Sequence, residues 1–154
     1  MKRIITALLA VACINNISIA QKIEPEKVPD GVMATFKEKY PTATNVKWEM
    51  ENKSGYEAEF TFKEEEEVSA HFDSIGNWLE TEVEIKKDQL PYAVLTAIKK
   101  DFEFFKIEEA SKIDNPNDGR CFEAEVKNGK EVFHLVYTPD GKLLRKTRPE
   151  PKKD

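Results

Sequence analysis

Cysteine, histidine and glycine are scarce in this chain: 154 residues contain two Cys, two His and six Gly. One cysteine, Cys13, sits in the first stretch, so Cys121 is alone in the rest and no internal disulfide can staple it. The fold therefore has to stand on its hydrophobic core. An excess of basic residues is also missing, since 24 Lys and Arg face 29 Asp and Glu. That balance argues against a nucleic-acid partner. After residue 12 there is no apolar run long enough to cross a membrane, for which about 20 residues are needed.

The start of the chain has the form of a secretory leader. Met1-Lys2-Arg3 is basic, and Ile4 to Ala12 is apolar apart from one Thr. Ser18-Ile19-Ala20 supplies small residues at minus three and minus one, which places cleavage after Ala20 and makes residues 1–20 a signal peptide. The rival is lipoprotein processing at Cys13, where Ala10-Val11-Ala12-Cys13 loosely fits a lipobox with Leu9 one position early. Cleavage removes Lys2 and Arg3, leaving 22 basic against 29 acidic residues and a mature net charge near −7. The expected location is the periplasm or the exterior. The remaining residues suffice for one compact domain.

Self-similarity is the strongest internal signal. Val28, Val32, Met33, Phe36 and Tyr40 recur 62 positions later as Leu90, Val94, Leu95, Ile98 and Phe102, a spacing that marks one face of a helix. Pro29 and Pro91 suit a first helical turn, and Pro41 ends the first helix. Tyr56 to Phe60 is echoed by Phe122 to Val126, and Phe72 with Gly76 by Tyr137 with Gly141. Between these landmarks, alternation such as Val46, Trp48, Met50 and Val68, Ala70, Phe72 predicts short strands, with turns at Asn52 to Gly55, Asp73 to Gly76, Asp114 to Gly119, Asn128-Gly129 and Thr138 to Gly141. The expected fold class is α+β: a tandem repeat at residues 25–87 and 88–150, each unit one helix packed on a four-stranded antiparallel sheet. Consecutive strands should be neighbours, and the sheet face away from the helix can meet water.

These features together, a leader, a Pro-started amphipathic helix, the aromatic-acidic strand Gly55 to Phe62 and a strand ending Phe72-Asp73-x-x-Gly76, all but the leader present twice, resemble the PepSY-like, beta-lactamase-inhibitor-like family of exported Bacteroidetes proteins. The resemblance spans residues 28–149 and implies a non-enzymatic periplasmic module with the architecture of a beta-lactamase inhibitor protein, whose concave sheet face binds the enzyme. No contact-loop residue of such an inhibitor maps onto a position here, so inhibition is carried by analogy alone.

The residues supply no catalytic constellation. Cys121, His71 and His134 fall on different predicted strands without a nucleophile, base and orienting group together. No catalytic residue, metal ligand or cofactor is expected. Glu64 to Glu67 reads as a solvated turn and Lys142 to Lys153 as a solvated basic tail. The expected contact surface is the sheet face turned from the helix, where alternation directs Glu57, Glu59, His71, Trp78, Glu80 and Glu82 outward along with Lys47, Glu49 and Glu84. Trp78 among carboxylates would anchor an envelope or secreted protein bearing a basic patch. The alternatives are a small-ligand or Ca²⁺-binding periplasmic sensor, and a propeptide-like chaperone or inhibitor of an exported hydrolase.

Overall fold

A computed structural model describes residues 21–52, 55–63 and 65–148 of the chain. The predicted signal peptide, Cys13 included, lies outside the described residues, as do Lys53 and Ser54 of the expected Asn52 to Gly55 turn, Glu64, and the basic tail from residue 149 onward.

Strand β1 (Gln21–Ile23) leads through a short 3-10 turn to helix α1 (Asp30–Lys39), followed by β2 (Thr44–Asn52), β3 (Gly55–Phe62), β4 (Glu65–Asp73) and β5 (Trp78–Glu84). A second 3-10 turn precedes helix α2 (Tyr92–Asp101), and β6 (Lys106–Asn115), β7 (Gly119–Asn128), β8 (Glu131–Tyr137) and β9 (Leu143–Thr147) complete the described elements. All nine strands form one antiparallel sheet in sequence order. The expected fold class is thereby corrected: the molecule is not a pair of four-stranded sheets, each under its own helix, but mostly a single nine-stranded sheet with two ten-residue helices. The join is the pairing of β5 with β6, Thr81 to Glu84 lying opposite Asp114 to Ser111. Two separate sheets would leave two further rows of unpaired backbone N–H and C=O groups, and this pairing removes both rows. The segment from Lys142, expected as a solvated tail, supplies β9, which pairs with β8 at the sheet's edge.

Both helices begin where proline stops donating. Pro29 and Pro91 are the N-caps, and their carbonyls accept the N–H of Met33 and Leu95 at 3.0 Å. Val28 and Leu90 therefore precede the helices, yet both are buried beside the helical residues Val32, Phe36 and Val94, Ile98. Alternate strand residues close each cluster from below: Trp48, Ala58, Phe60, Val68, Ala70, Phe72 and Val83 under α1, and Ala110, Ala124, Val126, Phe133, Leu135 and Tyr137 under α2. Removing this apolar area from water, at about 25 cal/mol per Å², is the main stabilising term.

The turns that follow β4 and β8 lock onto the helix starts. Gly76 has φ +94°, and a Cβ there would fall 2.5 Å from the Gly31 carbonyl carbon; Gly141, with φ +84°, comes as close to the Ala93 carbonyl. Only glycine permits both the left-handed backbone and that approach. Thr35 Oγ1 donates to the Gly76 carbonyl at 2.8 Å and ties α1 to its turn.

Candidate functional site

With both helices packed on one side of the sheet, the other side carries the polar half of the alternation. Two cross-strand rows run over it in the first half of the chain. Glu49, Glu57, His71 and Glu80 are consecutive partners on β2 to β5, and Lys47, Glu59, Ser69 and Glu82 form the next row. Sequence reasoning thus brought Glu57, Glu59, His71, Glu80 and Glu82 to one face, and the register places them there. His71 Nε2 lies 3.9 Å from Glu57 Oε1.

Trp78 is the exception. The register sets Trp78 opposite Phe72 and Glu80 opposite His71, so Leu79 is an extra residue and the strand bulges. One inserted residue reverses the facing of what precedes it. Trp78 accordingly packs against the α1 core, with Lys39 Nζ 3.7 Å from the ring centroid. Its Nε1 donates to Thr81 Oγ1 at 2.9 Å, and Thr81 in turn shares a hydrogen bond with the Tyr40 hydroxyl. The outward placement expected for Trp78 is corrected: it packs on the helix side and is no anchor on the open face. The same bulge recurs at Leu144, skipped between the pairs Val136–Arg145 and Tyr137–Leu143.

A groove of about 580 Å³ opens on the helix-free face near its centre, lined by Lys47 and by the carboxylates of Glu59, Glu67, Glu82, Glu84 and Glu109. Repulsion and burial are both legible in these groups. Burial pushes the Glu82 carboxyl above the usual range, opposed by a hydrogen bond from Ser111 and reinforced by Glu123 and Glu80. Glu84 is also held above the usual range, but by a hydrogen bond shared with Glu67 and by the charge of Glu67 more than by burial. Glu109 escaped the sequence reading because its share in the groove depends on which strand lies beside β5, whereas Glu67, expected in a solvated turn, belongs to β4, and the strand's alternation brings it to the groove.

Toward β8 the open face changes character. His134 Nδ1 is 2.7 Å from Glu123 Oε1, and its Nε2 is 3.5 Å from Glu125 Oε2. The echo of Glu57-Ala58-Glu59 in Glu123-Ala124-Glu125 was the available signal for this cluster. Beside it Ile113, Cys121 and Val136 form a small buried apolar group. Burial, joined by the charge of Asp118, pushes the Cys121 thiol up, away from the reactive thiolate. No group of three or more His, Cys, Asp or Glu among the described residues is placed to hold a metal ion. Nor is any described helix long and apolar enough to cross a membrane.

The sheet thus meanders, with two helices on one side and an acidic open face on the other. The model of the family described as "Putative beta-lactamase-inhibitor-like, PepSY-like" matches residues 16–69 and again residues 54–145. The chain belongs to this PepSY-like family. Among solved structures it resembles a BLIP-like protein from Bacteroides fragilis at 28% identity and a TM-score of 0.69, over 82% of this chain and 89% of that one. A DUF2874 family protein from Bacteroides ovatus is 25% identical with a TM-score of 0.68, over 78% and 86% of the two chains. A structure described as a "putative periplasmic" protein from Bacteroides eggerthii, at 22% identity over 79% and 88% of the chains with a TM-score of 0.68, shares the fold. No curated protein matches the chain.

Proposed function

We propose that this PepSY-like chain is an exported, non-enzymatic binding module that engages an envelope or secreted protein through the helix-free face of its sheet. Cleavage after Ala20 releases it to the periplasm or the exterior, a location in keeping with the description of its B. eggerthii relative. Glu57, Glu59, Glu80, Glu82 and His71 belong to the contact surface, while Trp78 supports it from behind. The observation that carries this reading is the groove of about 580 Å³ with five carboxylates and one lysine. Carboxylates pressed together by burial and like charge gain most when a cation arrives, so the complementary partner is a protein with a Lys- or Arg-bearing patch. The family's description as inhibitor-like makes an exported enzyme one such partner.

Capture from an envelope extract, at low and high salt, compares the mature protein with its Glu59→Lys/Glu82→Lys variant. The reading expects a protein retained at low salt, weakened at high salt and absent from the variant's eluate. Identical capture by both proteins would remove the open face from the interface.

A further inference from the structure

We propose that Gln21 becomes the first residue of the mature chain and cyclises to pyroglutamate. The proposal rests on the cleavage after Ala20 set out above. Cutting that bond frees the α-amine of a glutamine, whose side-chain amide is the right length to close a five-membered ring on it. The amine nitrogen attacks Cδ, the N–Cδ bond forms, the Cδ–Nε2 bond breaks, and Nε2 leaves as ammonia with a proton taken from the amine. No oxidant, reductant or co-reactant is consumed. The product is a neutral lactam that keeps one N–H.

The fold gives this residue both the freedom to react and a reason to be blocked. Gln21 opens β1 and is exposed, so no core packing holds its side chain away from its own amine. Strand β1 has three residues, with Gln21, Lys22 and Ile23 opposite Met50, Glu49 and Trp48. Ile23 packs against the α1 core beside the buried Trp48. An exopeptidase working inward would need only three cuts to remove this strand, uncover Trp48 and leave β2 as a raw sheet edge. Exopeptidases of that type grip a free ammonium, which the lactam lacks. Cyclisation thus protects the shortest strand of the sheet at the end where digestion would begin.

The test expresses the full chain, leader included, in an exporting bacterial host and examines the N-terminal peptide of the isolated protein by mass spectrometry. The expected peptide begins at residue 21, is lighter by one ammonia than the glutamine form, resists amine-directed labelling at its N-terminus and survives an aminopeptidase. A Gln21→Ser protein begins at the same position, labels at its N-terminus and is trimmed. A chain that begins at Gln21 but keeps a free amine, after an incubation that fully cyclises the free peptide of residues 21–25, overturns the cyclisation and leaves the cleavage standing. A chain that begins at a lipid-modified Cys13, or at any residue other than Gln21, overturns both.

Discussion

The two helix-covered cores solve one geometric problem with different side chains. Beneath α1 the filling is aromatic: the Phe36 ring meets Tyr40, Trp48, Phe60 and Phe72 at centroid distances of 5.1 to 6.4 Å, mostly edge to face. Beneath α2 the corresponding residue is Ile98, in one cluster with Val94, Val126 and Leu135, and among the described residues the ring contacts there join Phe102, Phe105 and Phe133. Hydroxyls are exchanged as well. Tyr40 in the first core corresponds to Phe102 in the second, and Phe72 to Tyr137. The Tyr40 hydroxyl has Thr81 as partner, whereas the buried Tyr137 hydroxyl has none among the described residues. Helix stripe and strand alternation therefore specify where apolar volume must go, and the choice of side chain sets how well polar atoms are accommodated there.

The largest test of this contrast is truncation of the two centres. Phe36→Ala should cost about 4 kcal/mol and Ile98→Ala about 3 kcal/mol, because the ring leaves a larger cavity and also forfeits its edge-to-face contacts. Urea unfolding of both variants measures the difference; equal losses would mean that the aromatic packing adds nothing beyond apolar volume.

The hydroxyl exchange predicts effects of opposite sign. Tyr137→Phe removes a buried group without a partner and should stabilise the protein by about 1 kcal/mol, while Tyr40→Phe breaks a bonded one and should destabilise it by a similar amount. Burial pushes the Tyr137 phenol up to about 12, with the charge of Asp101 adding to it. The folded state then holds this proton more tightly than the unfolded chain, so stability is intact below the ordinary tyrosine pKa of about 10 and falls as pH rises from there toward about 12. Chemical unfolding across that window should show a smaller loss for Tyr137→Phe than for the parent protein.

The smallest expected effect compares the two faces of the sheet. Glu82→Gln on the open face should raise stability modestly at neutral pH, since burial and neighbouring carboxylates disfavour the charged form. Because the Glu82 pKa is raised in the folded state, the parent recovers stability as pH falls through the carboxylate range, and the advantage of the variant should shrink there. A variant advantage that widened on acidification would reverse the assigned direction.

Much of this arrangement is legible in the sequence. The turn residues at Asp73 to Gly76 and Thr138 to Gly141 announce tight connections, and tight connections put consecutive strands side by side. The buried stripe from Val32 to Tyr40 was legible because helix periodicity needs only local sequence. The number of sheets was not. Strands β5 and β6 are separated by the whole of α2, and neither Thr81 to Glu84 nor Ser111 to Asp114 carries a residue that dictates pairing with the other. Trp78 was placed on the wrong face because Leu79, Thr81, Val83 and Ile85 make an unbroken alternation, and a bulge at Leu79 leaves no mark on such a pattern. The acidic groove was half visible: Glu59 and Glu82 follow from alternation, but Glu109 joins them only through the β5–β6 pairing.

The central functional claim, that the partner is held by the helix-free face, is tested most directly by measuring the affinity of the captured partner for two charge-reversed proteins in parallel. One carries Glu59→Lys/Glu82→Lys on the open face, the other Lys37→Glu/Lys99→Glu on the two helices. The account predicts that the first loses the salt-sensitive binding and the second retains it; loss in the helix variant with full retention in the sheet variant would contradict it.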